Sequence, residues 1–315
     1  MRIVLTGGTG FIGQALCMSL VRDGHRVTLL TRNAARASHL SGPLVTAVEW
    51  NGRETGSWEQ SLDGADAVIN LAGAPIADAR WTNARKQLLM DSRVLTTRLL
   101  VSSMSSRSSK PGILISASGI GYYGASDDRV LDEGAVRGRG FLADLCLAWE
   151  AEALRAAEFG TRVVILRTGM VLEQGGGALP KMLLPFRLFA GGPILPGTQW
   201  VSWIHRGDHI GLIQWALATP GVSGPVNAVA PWAVTMNHFC ETLGRVLHRP
   251  SRLPVPGLAL KITLGELATL MTTGQRVSPG KALSGGYVYE YPNLELALRA
   301  IFAKGQGDDR DGSLD

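Results

Sequence analysis

Arg2–Gly24 reads RIVLTGGTGFIGQALCMSLVRDG. Its first residues form an apolar run of strand length, closed by two glycines. From Phe11 the apolar residues recur at helical spacing, and the run stops at Gly24. A strand, a glycine loop and a helix in that order open a βαβ unit. Gly7, Gly10 and Gly13 stand three residues apart. The loop glycines let the backbone turn sharply and approach a ligand closely, and the last lets the helix pack on the strand. The first-turn N–H groups of such a helix have no partner within it. Together with the helix dipole they suit a pyrophosphate.

The same alternation continues outward. HRVTLLTRN, TAVEW, ADAVINLAG, GILISAS and RVVILRTGMVL read as a second to a sixth strand. NARKQLLMDSRVLTTRLLVSSM reads as one long helix, and GFLADLCLAWEAEALRAAEFG as another. Strands separated by helices of this length predict an α/β fold, a doubly wound parallel sheet. After about Gly175 the pattern loosens and glycine, proline and tryptophan become frequent. The expected organisation is a Rossmann domain over residues 1–172, to whose sheet later strands can return. A smaller C-terminal substrate lobe follows over 173–303, and then a polar, glycine-rich, disordered tail over 304–315.

The end of the second strand selects the ligand. A dinucleotide site that takes NAD places an acid there for the ribose hydroxyls. This chain has Thr31, Arg32 and Asn33, with Arg36 four residues beyond Arg32. A carboxylate would repel a 2′-phosphate, whereas a guanidinium holds it through two charge-assisted hydrogen bonds. The expected cofactor is NADP(H).

Bulk properties narrow the partners. The 315 residues are 45% apolar and carry a formal charge of +5. That charge suits an anionic small molecule and is modest for nucleic acid. Aromatic residues are not interleaved with basic runs, so nucleic acid is not an expected partner. Cys17, Cys146 and Cys240 have the spacing of neither a disulfide framework nor a metal site, and no metal is expected. No apolar run approaches the ~20 residues of a membrane helix. A cytoplasmic protein, monomeric or homodimeric and away from the membrane, is expected.

With the glycine loop, NLAG after the fourth strand and SASGIGYYG after the fifth, the chain resembles the extended short-chain dehydrogenase/reductases. It is most similar to their "epimerase family" branch of the SDR39U type, with a C-terminal DUF1731-like segment. Matching pieces include NLAGAPIADARWT (Asn70–Thr82), SR..TT (Ser92, Arg93, Thr96, Thr97), GYYG (Gly121–Gly124), LRTGMVL (Leu166–Leu172) and QWVSWIH..D (Gln199–Asp208). The resemblance implies that Gly7, Gly10, Phe11, Ile12 and Gly13 meet the phosphates and that Thr31 and Arg32 meet the adenosine ribose. Leu71, Ala72 and Gly73 would line the cofactor. Ser116, Ala117 and Arg167 would also contact it, with Ser116 to Ser118 beside the nicotinamide.

Working members of that superfamily pass a proton through a tyrosine whose lysine partner lies four residues on, one helical turn away. With Trp149 and Glu150 setting the register, those positions hold Leu142 and Cys146. Leucine moves no proton, and a buried neutral thiol does not replace an ammonium. Candidate groups for the chemistry are Ser118, Tyr122, Lys181 and His205, with Asp208 placed to orient the histidine. The expected activity is that of an NADP-dependent oxidoreductase acting on a small molecule. The competing reading is a non-catalytic NADP(H)-binding redox sensor or assembly factor.

Overall fold

The computed structural model describes residues 1–40 and 42–304. The side chains of Arg36, Ser38 and Lys304 lie outside that description, as do residues 305–315 of the expected tail. The predicted strands form as β1 (Arg2–Thr6), β2 (Arg26–Thr31), β3 (Val45–Glu49), β4 (Ala67–Asn70) and β5 (Ile113–Gly119). Strands Arg162–Thr168 and Gly224–Ala228 complete one seven-stranded sheet. Its order is Gly224–Ala228, Arg162–Thr168, β5, β4, β1, β2, β3. The pairs β1–β2, β2–β3, β1–β4 and β4–β5 are parallel. The order reverses at β1, and that reversal opens a crevice at the carboxyl ends of the strands.

Helices cover both faces. They include α1 (Phe11–Arg22), α2 (Asn83–Asp91), α3 (Val94–Ser105) and α4 (Phe141–Leu154). Side chains alternate between the faces of a strand, and the two cores show it. Ile3, Leu5, Ala67, Ile69, Ile113 and Ile115 pack with Leu16, Cys17 and Leu20 of α1. Val4, Val68 and Leu114 face the other way, against Leu100, Val101 and Met104 of α3. The near-continuous apolar character of β1 and β4 follows from burial on both faces.

The chain divides into two compact units. The first comprises Met1–Tyr122, Arg137–Arg167 and Ile210–Val226. The second comprises Tyr123–Val136, Thr168–His209 and the described residues from Asn227 onward. Within the second unit, strand Met170–Leu172 pairs in parallel with Trp203–His205. Its core gathers Leu172, Leu179, Leu183, Phe186, Trp203, Phe239 and Leu298. Helix α5 (Leu179–Arg187) and helix α7 (Met236–Leu247) contribute to it, and α6 (Arg206–Ala218) begins in this unit.

Two expected elements are each divided. The long helix breaks at Ser92–Arg93 into α2 and α3. There the Ser92 hydroxyl donates to the Leu89 carbonyl at 3.2 Å and accepts the Ala74 N–H at 3.1 Å. Side-chain bonds of this kind compete with the helical ladder. The sixth strand breaks at Gly169, where a Cβ would fall 2.5 Å from the Ser202 carbonyl oxygen and 2.8 Å from a Val229 methyl. Only glycine admits so close an approach of two backbones.

His209, at the start of α6, is 1% exposed. Its Nε2 lies 3.0 Å from the Thr168 hydroxyl, and its Nδ1 has no partner. Burial pushes the imidazole from its ordinary 6.5 down to about 4. The unfolded chain therefore takes up a proton below about pH 6.5 that the folded chain refuses until about pH 4. The neutral ring's contribution is complete above the upper limit and is lost as the pH falls between the two, by up to about 3 kcal/mol. Urea midpoints measured from pH 7.5 to 4.5 should fall accordingly, and His209→Gln should flatten the slope.

Candidate functional site

At the carboxyl end of β1 the backbone is too crowded for side chains. Gly7 has φ +70°, and a Cβ there would lie 2.7 Å from the Leu71 carbonyl group. A Cβ on Gly13 would fall 2.7 Å from Gly8 Cα and closer still to the Gly7 carbonyl oxygen. The Gly10 N–H donates to the Gly7 carbonyl at 3.0 Å, which closes the turn. Gly10 is the N-cap of α1 and has no side chain to cap the first turn. Phe11, Ile12 and Gly13 carry that turn. A loop that leaves no room for a Cβ at Gly7 or Gly13 and ends at a helix N-terminus fits a pyrophosphate.

The neighbouring strand end is fixed by a buried hydrogen-bond chain. Thr6 Oγ1 donates to Asn70 Oδ1 at 2.7 Å, and Asn70 Nδ2 donates to Thr97 Oγ1 at 2.8 Å. Trp149 Nε1 reaches the same Thr97 oxygen at 2.9 Å. The Ala72 N–H donates to Thr6 Oγ1 at 3.2 Å. Leu71, Ala72 and Gly73 are thereby held beside the glycine loop. On the other side of β1, Thr31 ends β2 and is 9% exposed. Arg32 follows it, exposed and in no ion pair among the described residues. A guanidinium free to reach solvent suits a 2′-phosphate.

At the end of β5, Ser116 is wholly buried and Ala117 lies beside it. Ser118 Oγ donates to Glu150 Oε1 at 2.7 Å. Arg167 grips the same carboxylate, with Nε 2.9 Å from Oε1 and Nη2 2.8 Å from Oε2. The other face of the guanidinium system is occupied by Tyr122, whose ring centroid lies 3.4 Å from Arg167 Cζ. Ser118, Glu150 and Arg167 are 6%, 6% and 4% exposed. Ser118, Tyr122 and Arg167, read separately from the sequence, thus form one cluster around Glu150. In the sequence Glu150 serves only to set register. Its signal was present, since a carboxylate on the apolar helix α4 needs a buried cation.

The positions of the absent pair are filled by packing. Leu142 lies against Gly121, where a Cβ would be 2.9 Å from Leu142 Cβ. Cys146 Sγ lies 3.5 Å from the Gly119 carbonyl, and burial pushes the thiol up. Neither group handles protons near neutral pH.

Lys181 and His205 belong to the second unit. Lys181 is exposed on α5. His205 is 3% exposed, its Nδ1 accepts the Gly207 N–H at 3.0 Å, and its ring packs 3.9 Å from that of Tyr291. Asp208 does not orient it. The Asp208 carboxylate instead accepts the N–H groups of Glu290 at 2.8 Å and Tyr291 at 2.9 Å. Those bonds tie the later segment to the start of α6, and burial pushes the carboxyl up. Among the described residues no cluster of histidine, cysteine and acidic side chains could hold a metal, and no helix is long and apolar enough to cross a membrane.

Residues 3–228 match the sequence model of the NAD dependent epimerase/dehydratase family, and residues 255–301 match a domain of unknown function, DUF1731. An epimerase family protein of Arabidopsis thaliana, the chloroplastic SDR39U1 homolog, is 41% identical over 96% of this chain and 86% of its own length. The epimerase family protein YfhF of Bacillus subtilis is 41% identical over 96% of this chain and 98% of its own. The crystal structure of human epimerase family protein SDR39U1, isoform 2, with NADPH superposes with a TM-score of 0.86 at 37% identity. That match covers 96% of this chain and 99% of the human one.

The cluster at the end of β5 makes a stability prediction. Glu150→Leu leaves a buried guanidinium without its anion and should cost about 3–5 kcal/mol. Adding Arg167→Met should recover most of that loss. Equilibrium urea unfolding of the two single variants and the double variant measures both effects.

Proposed function

The chain belongs to the NAD dependent epimerase/dehydratase family, and we propose that it binds NADP(H) at the carboxyl ends of β1, β2 and β4 and acts as an oxidoreductase on a small molecule. The observation that carries the reading is the crowded loop Gly7–Gly13 beside a strand end that offers Arg32 and no acid. The human relative's structure with NADPH supports the same cofactor. The dinucleotide crosses the reversal at β1, with its phosphoadenosine over β2 and its nicotinamide over β4 and β5. Gly7, Gly10, Phe11, Ile12 and Gly13 take the phosphates, and Thr31 and Arg32 the adenosine end. Leu71, Ala72, Gly73, Ser116 and Ala117 line the remainder.

When bound, the cofactor supplies or accepts the hydride. The protein orients the reacting oxygen without a tyrosine–lysine pair. Because the Ser118 proton is directed at Glu150, its oxygen accepts from a hydroxyl or N–H group of the ligand and donates to no carbonyl oxygen. Tyr122, its ring fixed against Arg167, is the hydroxyl of this unit that gives or takes a proton. Arg167 acts by holding Tyr122 and Glu150. Lys181 and His205 are the corresponding candidates of the second unit. The family word epimerase names ancestry here, and sugar-nucleotide epimerisation is not part of the proposal.

The test uses NADPH deuterated separately on each face of C4, with a fractionated metabolite extract and mass spectrometry of the products. Stereospecific transfer of label, lowered in Tyr122→Phe, is the expected result. Binding of NADPH without transfer to any fraction would support the sensor reading instead. Arg32→Ala should weaken NADPH roughly tenfold and leave NADH nearly unchanged, as read by titration of nicotinamide fluorescence. A wild-type preference for NADH would overturn the cofactor assignment.

A further inference from the structure

Helix α8 (Gly257–Leu264) reads GLALKITL and lies near the start of the segment that matches the domain of unknown function. It is apolar, yet it buries none of its residues. Leu258 and Ile262 stand four residues apart, on one face of the helix, and are 70% and 69% exposed. A surface helix ordinarily turns such a stripe toward its own core. Leu258 instead lines a cavity of about 290 Å³, together with Leu195, Pro196, Gly257, Lys261 and Thr272. Leu195 is also exposed, so apolar side chains flank the mouth.

The walls are tied together. The Leu195 N–H donates to the Val255 carbonyl at 3.0 Å, which draws the segment before α8 alongside. Gln199, a buried side chain, donates through Nε2 to the carbonyls of Ile194 at 2.9 Å and Met271 at 2.8 Å. Those residues immediately precede Leu195 and Thr272. A recess held in this way is formed before anything enters it, and preorganisation favours binding. The surrounding charge has one sign. Between Glu173 and Asp208 the chain has no acidic residue, and between Glu241 and Glu266 it has none either. The first stretch holds three lysines and arginines and the second four. Arg206 is paired with Glu173 and Arg245 with Glu295. Lys261, exposed on the cavity wall, has no carboxylate partner among the described residues.

We propose that this cavity and the outer face of α8 form a docking site for an acidic amphipathic segment of another protein. One large apolar side chain of the partner enters the cavity, a second covers Leu258 and Ile262, and a flanking carboxylate meets Lys261. Burial of the contiguous apolar side chains supplies the affinity, and the lysine selects the sign of the partner's charge. Isologous pairing of two copies would set the same cations against each other. A bilayer takes up protruding side chains and leaves a recess unfilled, so a recess with fixed walls favours a protein.

Selection of random peptides displayed on phage against the full chain, with counter-selection against Leu258→Asp, tests it. The enriched peptides should carry large apolar residues at helical spacing, flanked by aspartate or glutamate. A fluorescein-labelled synthetic copy of the most enriched one then serves as the probe in polarisation titrations. Its affinity should fall about tenfold or more on Leu258→Asp, Ile262→Asp and Lys261→Glu. All three side chains are exposed, so the variants should keep the wild-type urea midpoint. Exchanging the peptide's carboxylates for lysines should abolish binding to the wild-type chain and recover part of it on Lys261→Glu. Failure to enrich any peptide that separates the wild-type chain from Leu258→Asp would overturn the proposal, as would enriched peptides without acidic residues. Two further results would also overturn it by assigning the face another occupant. One is Leu258-dependent binding to vesicles of phosphatidylglycerol and phosphatidylcholine without peptide binding. The other is a Leu258-dependent dimer in sedimentation velocity.

Discussion

Thr6 and Asn70 never meet water, yet the whole ligand-binding edge depends on the bond between them. They end adjacent parallel strands on the two sides of the strand-order reversal. Their side chains, joined to Thr97 and through it to Trp149, link β1 and β4 to α3 and α4. A buried polar chain is strong only when its members are satisfied, and here Thr6, Asn70, Thr97 and Trp149 each have a partner in the chain. It sets the height of Leu71 against Gly7. Once those backbones approach to the point where a Cβ would lie at 2.7 Å, glycine is required at position 7.

A different solution governs the end of β5. Where a tyrosine and a lysine would place one hydroxyl and one charge on α4, this chain has Leu142 and Cys146. Hydroxyl and charge appear instead on Ser118, Tyr122 and Arg167, and α4 contributes the carboxylate that binds Ser118 and Arg167. The sign of the charge on α4 is thus reversed. A carboxylate fully engaged by a forked guanidinium gains geometric specificity. It takes the Ser118 proton and so leaves the Ser118 oxygen as an acceptor.

Much of the first unit was legible because its signals are local. Five strands and the glycine loop follow from apolar runs and punctuation, and the two-sided burial of β1 and β4 explains why those runs lack polar alternation. The departures have non-local causes. Ser92 breaks a helix through bonds to Ala74 and Leu89, with neither proline nor glycine to announce it. Gly169 divides a strand because Ser202 and Val229 come close, and those residues are more than thirty positions away. Asp208 stands three residues from His205 in sequence, but backbone N–H groups some eighty residues on satisfy it. Glu150 stands as a charge on an apolar helix, and its partners, Ser118 and Arg167, follow only from the fold.

The two units are interleaved along the chain, which passes between them at Tyr122–Tyr123, Val136–Arg137, Arg167–Thr168, His209–Ile210 and Val226–Asn227. Ending the chain after Ala228 would keep all seven strands of the large sheet and strip Phe239, Leu243 and Leu298 from the core that Leu172, Leu179 and Trp203 share. The second unit is therefore not a cassette. Gene fusion or recombination at a single junction could neither remove it nor exchange it for a relative's. Changes in the second unit must accumulate residue by residue within segments already committed to the fold.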